Sequence, residues 1–322
     1  MRQFFSVLYG GLGMIIALFG IYFGLVWIHD DVLPVISRID LDMTANAIAS
    51  LIEQPIEGTS LEGFRRLIRY TASQEEDLIN TATLNIPQSL ENDITANGYI
   101  IRNLDTDEVI AANNADTLMP VASLTKLVTA IVARKLIDPD EHIVLSKSII
   151  DTYGNTAQFR AGEVFLAKDM FYPLLMVSSN DAAEAFAHNY GRKAFIEAMN
   201  NFAQTIGAYR TYFRDPSGLS ADNRSTATDL AIILDWIRKN DPEILEITDM
   251  KTKTVRTHTW VNPSHFLNWS NYYGGKNGYI PEAKLTSAAI FTFGEEREMY
   301  AVVLLGSDSR DSDVVKLLSR VK

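Results

Sequence analysis

The chain has 322 residues, of which 47% are hydrophobic and 21% charged, and it contains no cysteine. This composition supports a sizeable folded core, and it excludes disulfide bonds, thiol nucleophiles and zinc sites built on cysteine. The formal net charge of −11, with no basic tract, argues against nucleic acid as the main partner.

The first 30 residues are predicted to form a transmembrane signal anchor. Residues 4–28 contain no charged side chain, and this run is long enough to cross a bilayer, which takes about 20 apolar residues. Arg2 precedes this run and Asp30 and Asp31 follow it, so the positive-inside tendency leaves the N-terminus in the cytoplasm. No small-residue cleavage site precedes Asp30, which favours an uncleaved anchor over a signal peptide. We therefore expect a single-pass protein of the cell membrane whose remaining residues lie outside the cytoplasm.

Residues 31–96 are predicted to be a helical, membrane-proximal connector. Apolar residues recur at helical spacing between Leu41 and Ile52, and Thr59 with Glu62 matches a capping box at the start of a second short helix. No catalytic motif occurs in this segment. We expect it to act as a spacer or as a packing collar.

From residue 97 to residue 322 the pattern becomes that of one mixed α/β domain. Strands are predicted near both ends of this region, with mainly helical segments between them, so distant parts of the chain must build one sheet. The predicted strands are 99–104, 108–112, 288–293 and 299–305, and the predicted helices are 123–136, most of 165–206, 227–238 and 314–321.

Ser123 and Lys126 lie three residues apart at the start of the first predicted helix. Positions i and i+3 share a helix face at about 5–6 Å between Cβ atoms, so the amine can reach the hydroxyl. A buried amine has a lowered pKa and can take the proton that keeps a serine hydroxyl unreactive. The same spacing recurs by chance at Ser319 and Lys322. Taken alone, the pair is more simply explained by Ser123 as a helix N-cap beside a solvated lysine.

Two further motifs follow in order along the chain, Ser178-Ser179-Asn180 and then Lys276-Asn277-Gly278. The set Ser-x-x-Lys, Ser-x-Asn and Lys-Thr-Gly is typical of penicillin-binding proteins and class A β-lactamases. Residues 97–322 resemble the D-alanyl-D-alanine carboxypeptidase family of low-molecular-mass penicillin-binding proteins. Similar context surrounds the motifs at residues 111–116, 120–126, 213–219 and 225–231.

The resemblance implies a serine β-lactamase/D,D-peptidase-like fold, in which a helical region flanks an antiparallel sheet. It also implies a serine peptidase that acts on peptidoglycan stem peptides and needs no metal or organic cofactor. In this family Ser123 would attack the carbonyl between two D-alanines to form an acyl-enzyme, and Lys126 would take its proton. Ser178 would pass a proton to the leaving amine, and Asn180 would hold a substrate amide.

The same resemblance assigns substrate binding to Lys276, Asn277, Gly278 and Tyr279. Lys276 would place positive charge near the terminal carboxylate of the substrate. The backbone N–H groups of Ser123 and Tyr279 would form the oxyanion hole, where one lost donor typically costs about 2.7–4 kcal/mol. β-Lactams are implied as covalent inhibitors.

The chain departs from the family at three positions near the third motif. Asn277 replaces the usual threonine, and Ile280 and Lys284 replace a threonine and a glycine. Three alternatives therefore stay open beside the carboxypeptidase: an inactive cell-wall binding protein, an endopeptidase of the same fold, and a β-lactamase. The last would need a dedicated deacylating glutamate, and none is identified. The five histidines show no metal-binding spacing.

Overall fold

The computed structural model describes residues 94–294 and 296–321. All of these residues belong to one compact unit. The predicted anchor and almost all of the predicted connector lie outside the described residues, as does Lys322 of the second Ser-x-x-Lys spacing. Within the described residues, no helix has the length and apolarity needed to cross a bilayer.

Five antiparallel strands form the central sheet, in the order β2-β1-β11-β10-β9. The first two strands therefore share a sheet with the last three, and segments distant in the chain build one sheet, as the sequence predicted. The edge strand β9 carries the third motif. The strands are β1 (Gly98–Asn103), β2 (Val109–Asn113), β9 (Tyr272–Ile280), β10 (Lys284–Phe293) and β11 (Glu298–Ser307).

Three short two-stranded ribbons and eight helices complete the described domain. The ribbons pair β3 (Met119–Pro120) with β6 (Arg224–Ser225), β4 (His142–Val144) with β5 (Val164–Leu166), and β7 (Thr252–Val255) with β8 (His258–Val261). The helices are α1 (Thr125–Leu136), α2 (Lys147–Ile150), α3 (Ala167–Leu175), α4 (Asn180–Tyr190), α5 (Arg192–Thr205), α6 (Ala227–Asn240), α7 (Glu243–Asp249) and α8 (Arg310–Leu318).

The sheet separates two hydrophobic clusters, because alternate residues of its strands point to opposite faces. Ile100 and Val303 belong to the larger cluster, which includes α1 and most of the helical region. Ile101 and Val302 belong to the smaller cluster, which includes residues of α8. Helix α1 is buried continuously from Thr125 to Ala133. A helix buried all round is a core helix, and α1 therefore carries its polar residues into the interior.

The predicted mixed α/β fold with an antiparallel sheet is confirmed, while several boundaries differ. The segment 165–206 is mainly helical as predicted, and it consists of the end of β5 and three separate helices. The third motif lies inside β9, where a strand was not predicted. The last helix begins at Arg310 and ends at Leu318, earlier at both ends than the pattern indicated.

Candidate active site

Ser123 lies in a turn of 3-10 helix directly before α1. The N-cap of α1 is Leu124 and has no side-chain cap bond, so the Ser123 hydroxyl does not cap this helix. Ala122 has a φ of +50°, a left-handed conformation that is costly for a residue with a Cβ. A Cβ on Gly218 would lie 2.0 Å from the Ala122 carbonyl oxygen. The turn at Gly218 therefore packs closely against Ala122, and this contact holds the strained backbone that presents Ser123.

Lys126 lies beneath Ser123 and is fully buried. Its Nζ is 3.0 Å from Ser123 Oγ, 2.7 Å from Asn180 Oδ1 and 2.5 Å from the Ser217 carbonyl oxygen. Burial lowers the pKa of Lys126 well below its usual value. The positive charge of Lys276 lowers this pKa further, and the carboxylates of Asp215 and Glu184 only partly oppose the effect.

Three oxygens surround the Lys126 amine and match the three N–H groups of a protonated lysine, and the lowered pKa favours loss of one of these protons. A neutral lysine has two N–H bonds and one lone pair, and the oxygens of the Asn180 side chain and the Ser217 backbone can only accept. Once Lys126 has lost a proton, its two remaining N–H bonds can stay with these two acceptors. The lone pair then faces the Ser123 hydroxyl, so the amine can accept the serine proton.

The turn after Asp215 places the Ser217 carbonyl. One oxygen of the Asp215 carboxylate accepts from the backbone N–H groups of Ser217 and Gly218 at 2.7 and 2.6 Å and from the Ser217 hydroxyl at 2.8 Å. Thr129 of α1 donates to the Pro216 carbonyl at 2.6 Å and ties the turn to the helix that carries Lys126. Asp215 therefore holds in place the backbone carbonyl of Ser217, which accepts a hydrogen bond from Lys126.

The second motif faces Ser123 from the loop before α4. Ser179 is the N-cap of α4 and accepts from the Ala182 N–H at 3.1 Å. Ser178 has a φ of +58°, and its Oγ is buried without a hydrogen-bond partner among the described residues. The Asn180 Oδ1 accepts from Lys126, and its Nδ2 donates to the Tyr153 carbonyl at 2.6 Å.

The third motif places positive charge on the opposite side. Lys276 is buried in β9, and its Nζ donates to the Asn277 carbonyl at 2.9 Å. Burial lowers the pKa of Lys276 to about 7, and the nearby Arg310 guanidinium adds to this shift. Lys276 and Arg310 both line the cavity, and two positive side chains in one cavity wall attract an anion.

The Asn277 amide is held across the sheet. Ser287, its pairing partner on β10, donates to Oδ1 at 2.9 Å, and the Nδ2 lies 3.4 Å from Ser264 Oγ. Because Ser287 occupies the amide oxygen, the N–H groups are left for Ser264 and the cavity. A Cβ on Gly278 would lie 2.8 Å from the Ser123 backbone nitrogen, so only glycine allows β9 this close approach.

One cavity of about 540 Å³ connects the three motifs. Lys126 is not part of the cavity wall and lies behind Ser123. The structure therefore brings together all eight residues singled out in the sequence. Those that line the cavity are Ser123, Ser178, Asn180, Lys276, Asn277, Gly278 and Tyr279. Within residues 94–294 and 296–321, no cluster of histidine and carboxylate side chains could hold a metal ion.

Four contributors to the site were not predicted from the sequence. Ser217 and Tyr153 act through backbone carbonyls, which leave no signature in a sequence. Arg310 and Ser264 line the same cavity from α8 and from the loop before β9, far from the motifs along the chain. Of these four residues, only Ser217 had a signal in the sequence, because it lies in an Asp-Pro-Ser-Gly turn similar to one in the family.

Similarity to solved structures defines the class of protein. The structure of a D-alanyl-D-alanine carboxypeptidase from Mycobacterium tuberculosis superposes with a TM-score of 0.66 and 26% identity, covering 74% of this chain and 92% of that one. This is the mixed α/β fold of penicillin-binding proteins and serine β-lactamases. The sequence model of the D-alanyl-D-alanine carboxypeptidase family matches residues 83–308. The chain therefore belongs to this family.

Two relatives are named as D-alanyl-D-alanine endopeptidases. The protein from Escherichia coli is 35% identical over 207 residues, which cover 61% of this chain and 65% of the relative. The protein from Pseudomonas aeruginosa is 32% identical over 208 residues, which cover 60% of this chain and 66% of the relative. The chain thus spans slightly less than two thirds of the length of these two relatives.

Proposed function

We propose that the protein is a serine D-alanyl-D-alanine carboxypeptidase that acts on peptidoglycan stem peptides through an acyl-enzyme. The observation that carries the proposal is the contact of 3.0 Å between Lys126 Nζ and Ser123 Oγ. Two obligate acceptors hold the buried amine beside the hydroxyl, so that loss of one proton turns its lone pair towards Ser123.

Catalysis begins when neutral Lys126 takes the proton of Ser123 as the serine oxygen attacks the carbonyl between the two D-alanines. The backbone N–H groups of Ser123 and Tyr279 stabilise the oxyanion. The C–N bond then breaks, and Ser178 relays the proton held by Lys126 to the departing amine. Water attacks the resulting ester, which releases the shortened peptide and restores Ser123.

The terminal carboxylate of the substrate binds at the strand side of the cavity. Lys276 and Arg310 supply positive charge there, and the Asn277 amide donates in place of the usual threonine hydroxyl. An asparagine amide has two donors on a longer side chain, so it can make the same contact from its position on β9.

An endopeptidase is a second candidate, and the two named endopeptidase relatives favour it. Both reactions break a D-alanyl amide with the same nucleophile and base, and they differ only in the size of the leaving group. The binding-only alternative is weakened by the complete set of contacts around Lys126.

The proposal includes a place for the reaction. Residues 1–30 anchor the protein in the cell membrane, residues 31–96 connect the anchor to the catalytic domain, and residues 97–322 act outside the cytoplasm. The uncharged run 4–28 supports the anchor. β-Lactams, which resemble the acylating substrate, are the expected covalent inhibitors.

The test is product analysis with the purified full-length chain in detergent. A pentapeptide ending in D-Ala-D-Ala should lose D-alanine, and Ser123→Ala should abolish the release. A cross-linked peptide dimer, assayed in parallel, measures endopeptidase activity. Turnover of neither substrate above the Ser123→Ala background would contradict the proposal.

A further inference from the structure

The Asn180 side chain is held from two sides by groups whose hydrogen-bonding roles are fixed. Its Nδ2 donates to the Tyr153 carbonyl at 2.6 Å, and its Oδ1 accepts from Lys126 at 2.7 Å. A backbone carbonyl can only accept, so it fixes which end of the amide faces the loop. The Tyr153 carbonyl therefore determines that the amide oxygen is turned towards Lys126. One Nδ2–H remains for another acceptor.

Gly154 lets the loop approach this amide. It has a φ of +88°, and a Cβ at this position would lie 3.2 Å from Asn180 Nδ2. Few real Cβ contacts are this short, so a side chain here would displace either the loop or the amide. Gly162, in the following turn, has a φ of +89° and would meet no atom within 4 Å. The two glycines thus share the same backbone conformation and differ in their contact with Asn180.

The loop is anchored at its other end. The Asn155 side chain accepts from the Phe159 N–H at 3.0 Å and donates to the Phe159 carbonyl at 3.2 Å. Phe159 is buried, and its ring packs against Phe165 and Trp260 at centroid distances of 5.1 and 5.9 Å. These contacts give the segment 153–159 a fixed support in the core.

We propose that the segment 153–159 is a positioning element, which orients the second Nδ2–H of Asn180 towards the amide carbonyl on the acyl side of the substrate. Tyr153 and Gly154 act through Asn180 and do not touch the reacting atoms. This inference rests on the proposed function, because it concerns the acyl donor of the same reaction. It adds a specificity-setting segment that lies outside the three motifs.

The test compares two β-lactams that differ in one group. Benzylpenicillin carries a side-chain amide carbonyl that Asn180 can bind, whereas 6-aminopenicillanic acid has an amine there. Acylation rates are measured for full-length wild type, Gly154→Ala and the matched control Gly162→Ala. We expect Gly154→Ala to slow acylation by benzylpenicillin about three- to tenfold, the effect of one lost hydrogen bond. Acylation by 6-aminopenicillanic acid should change much less, and Gly162→Ala should leave the ratio of the two rates unchanged.

A second variant tests the support of the loop without adding an atom. Asn155→Ala removes both bonds to Phe159 and should lower the same ratio, and it decides the question if Gly154→Ala does not fold. An equal change with both β-lactams in the folded variants would overturn the proposal and leave the proposed function intact. The absence of any adduct on folded wild-type protein would overturn the proposed function itself.

Discussion

The two walls of the cavity are built in different ways. The helix wall consists of Ser123 and Asn180, with Lys126 and Ser217 behind them, and these polar groups already bind one another through short contacts. The strand wall consists of Lys276, Asn277 and Gly278 of β9 together with Arg310. There two like charges face the cavity, and one amide contact is as long as 3.4 Å.

This difference separates chemistry from recognition. The helix wall is preorganised for proton transfer, because the contacts that hold Lys126 beside Ser123 are made before a substrate arrives. The strand wall carries two positive charges, of which Lys276 donates to the Asn277 carbonyl and Arg310 pairs with Asp311, and a bound anion would add a further partner. The departures from the family pattern, at Asn277, Ile280 and Lys284, all lie in β9 or at the start of β10, which follows it. The residues that differ from the family pattern therefore lie on the side of the cavity proposed to bind the substrate carboxylate, and not beside the proposed nucleophile and base.

The largest effect is expected on the helix wall. Lys126→Ala removes the base, and positioned general bases typically contribute about 10²–10⁴-fold. The rate of acylation by benzylpenicillin should fall by this factor, as measured by the time course of adduct formation. Lys135→Ala, on an exposed turn of the same helix, is the control and should acylate normally. A fall of less than about fivefold in Lys126→Ala would assign the proton transfer to another group.

A smaller effect, confined to binding, is expected on the strand wall. Lys276→Ala removes a charged donor, and hydrogen bonds to charged groups contribute about 1.5–3 kcal/mol, or roughly 10- to 150-fold. For a peptide with a free C-terminal carboxylate, this loss should appear mainly as a higher KM. The same peptide with a C-terminal amide should be affected much less. Equal losses with both peptides would remove the assigned role in reading the carboxylate.

The pH profile distinguishes the two walls without altering Lys126. Lys276 binds a carboxylate only when protonated, and its pKa of about 7 means that the charge is lost as the pH rises through neutrality. For substrates with a free carboxylate, kcat/KM should therefore fall above about pH 7, approaching about tenfold per pH unit. An arginine stays protonated throughout this range, so Lys276→Arg should shift the fall to higher pH. A falling limb that is unchanged in Lys276→Arg would belong to another group.

The smallest effect is expected behind the strand wall. Ser287→Ala leaves the Asn277 oxygen without its donor, so the amide loses its fixed orientation. One neutral hydrogen bond contributes about 0.5–1.5 kcal/mol, which predicts a roughly two- to tenfold higher KM with unchanged kcat. Ser287→Thr retains the hydroxyl and should behave like wild type. A decrease in kcat instead would place Ser287 in the chemistry.

Local spacing predicted most of the helix wall. The spacing of three positions from Ser123 to Lys126 predicted their contact, and the order of the motifs indicated the partners. The acceptors from Ser217 and Tyr153 could not be predicted, since any residue type offers a backbone carbonyl. Strand β9 escaped prediction because Gly274, Gly275 and polar residues interrupt the apolar alternation that identifies strands.

The central claim is that Ser123 is a nucleophile activated by Lys126, and an adduct with penicillin tests it most directly. Purified full-length protein is incubated with benzylpenicillin, and the modified residue is located by peptide mass spectrometry. We expect one stoichiometric adduct on Ser123, its absence in Ser123→Ala, and its slow formation in Lys126→Ala. Folded wild-type protein that forms no adduct, or forms one on another residue, would show that Ser123 is not the nucleophile.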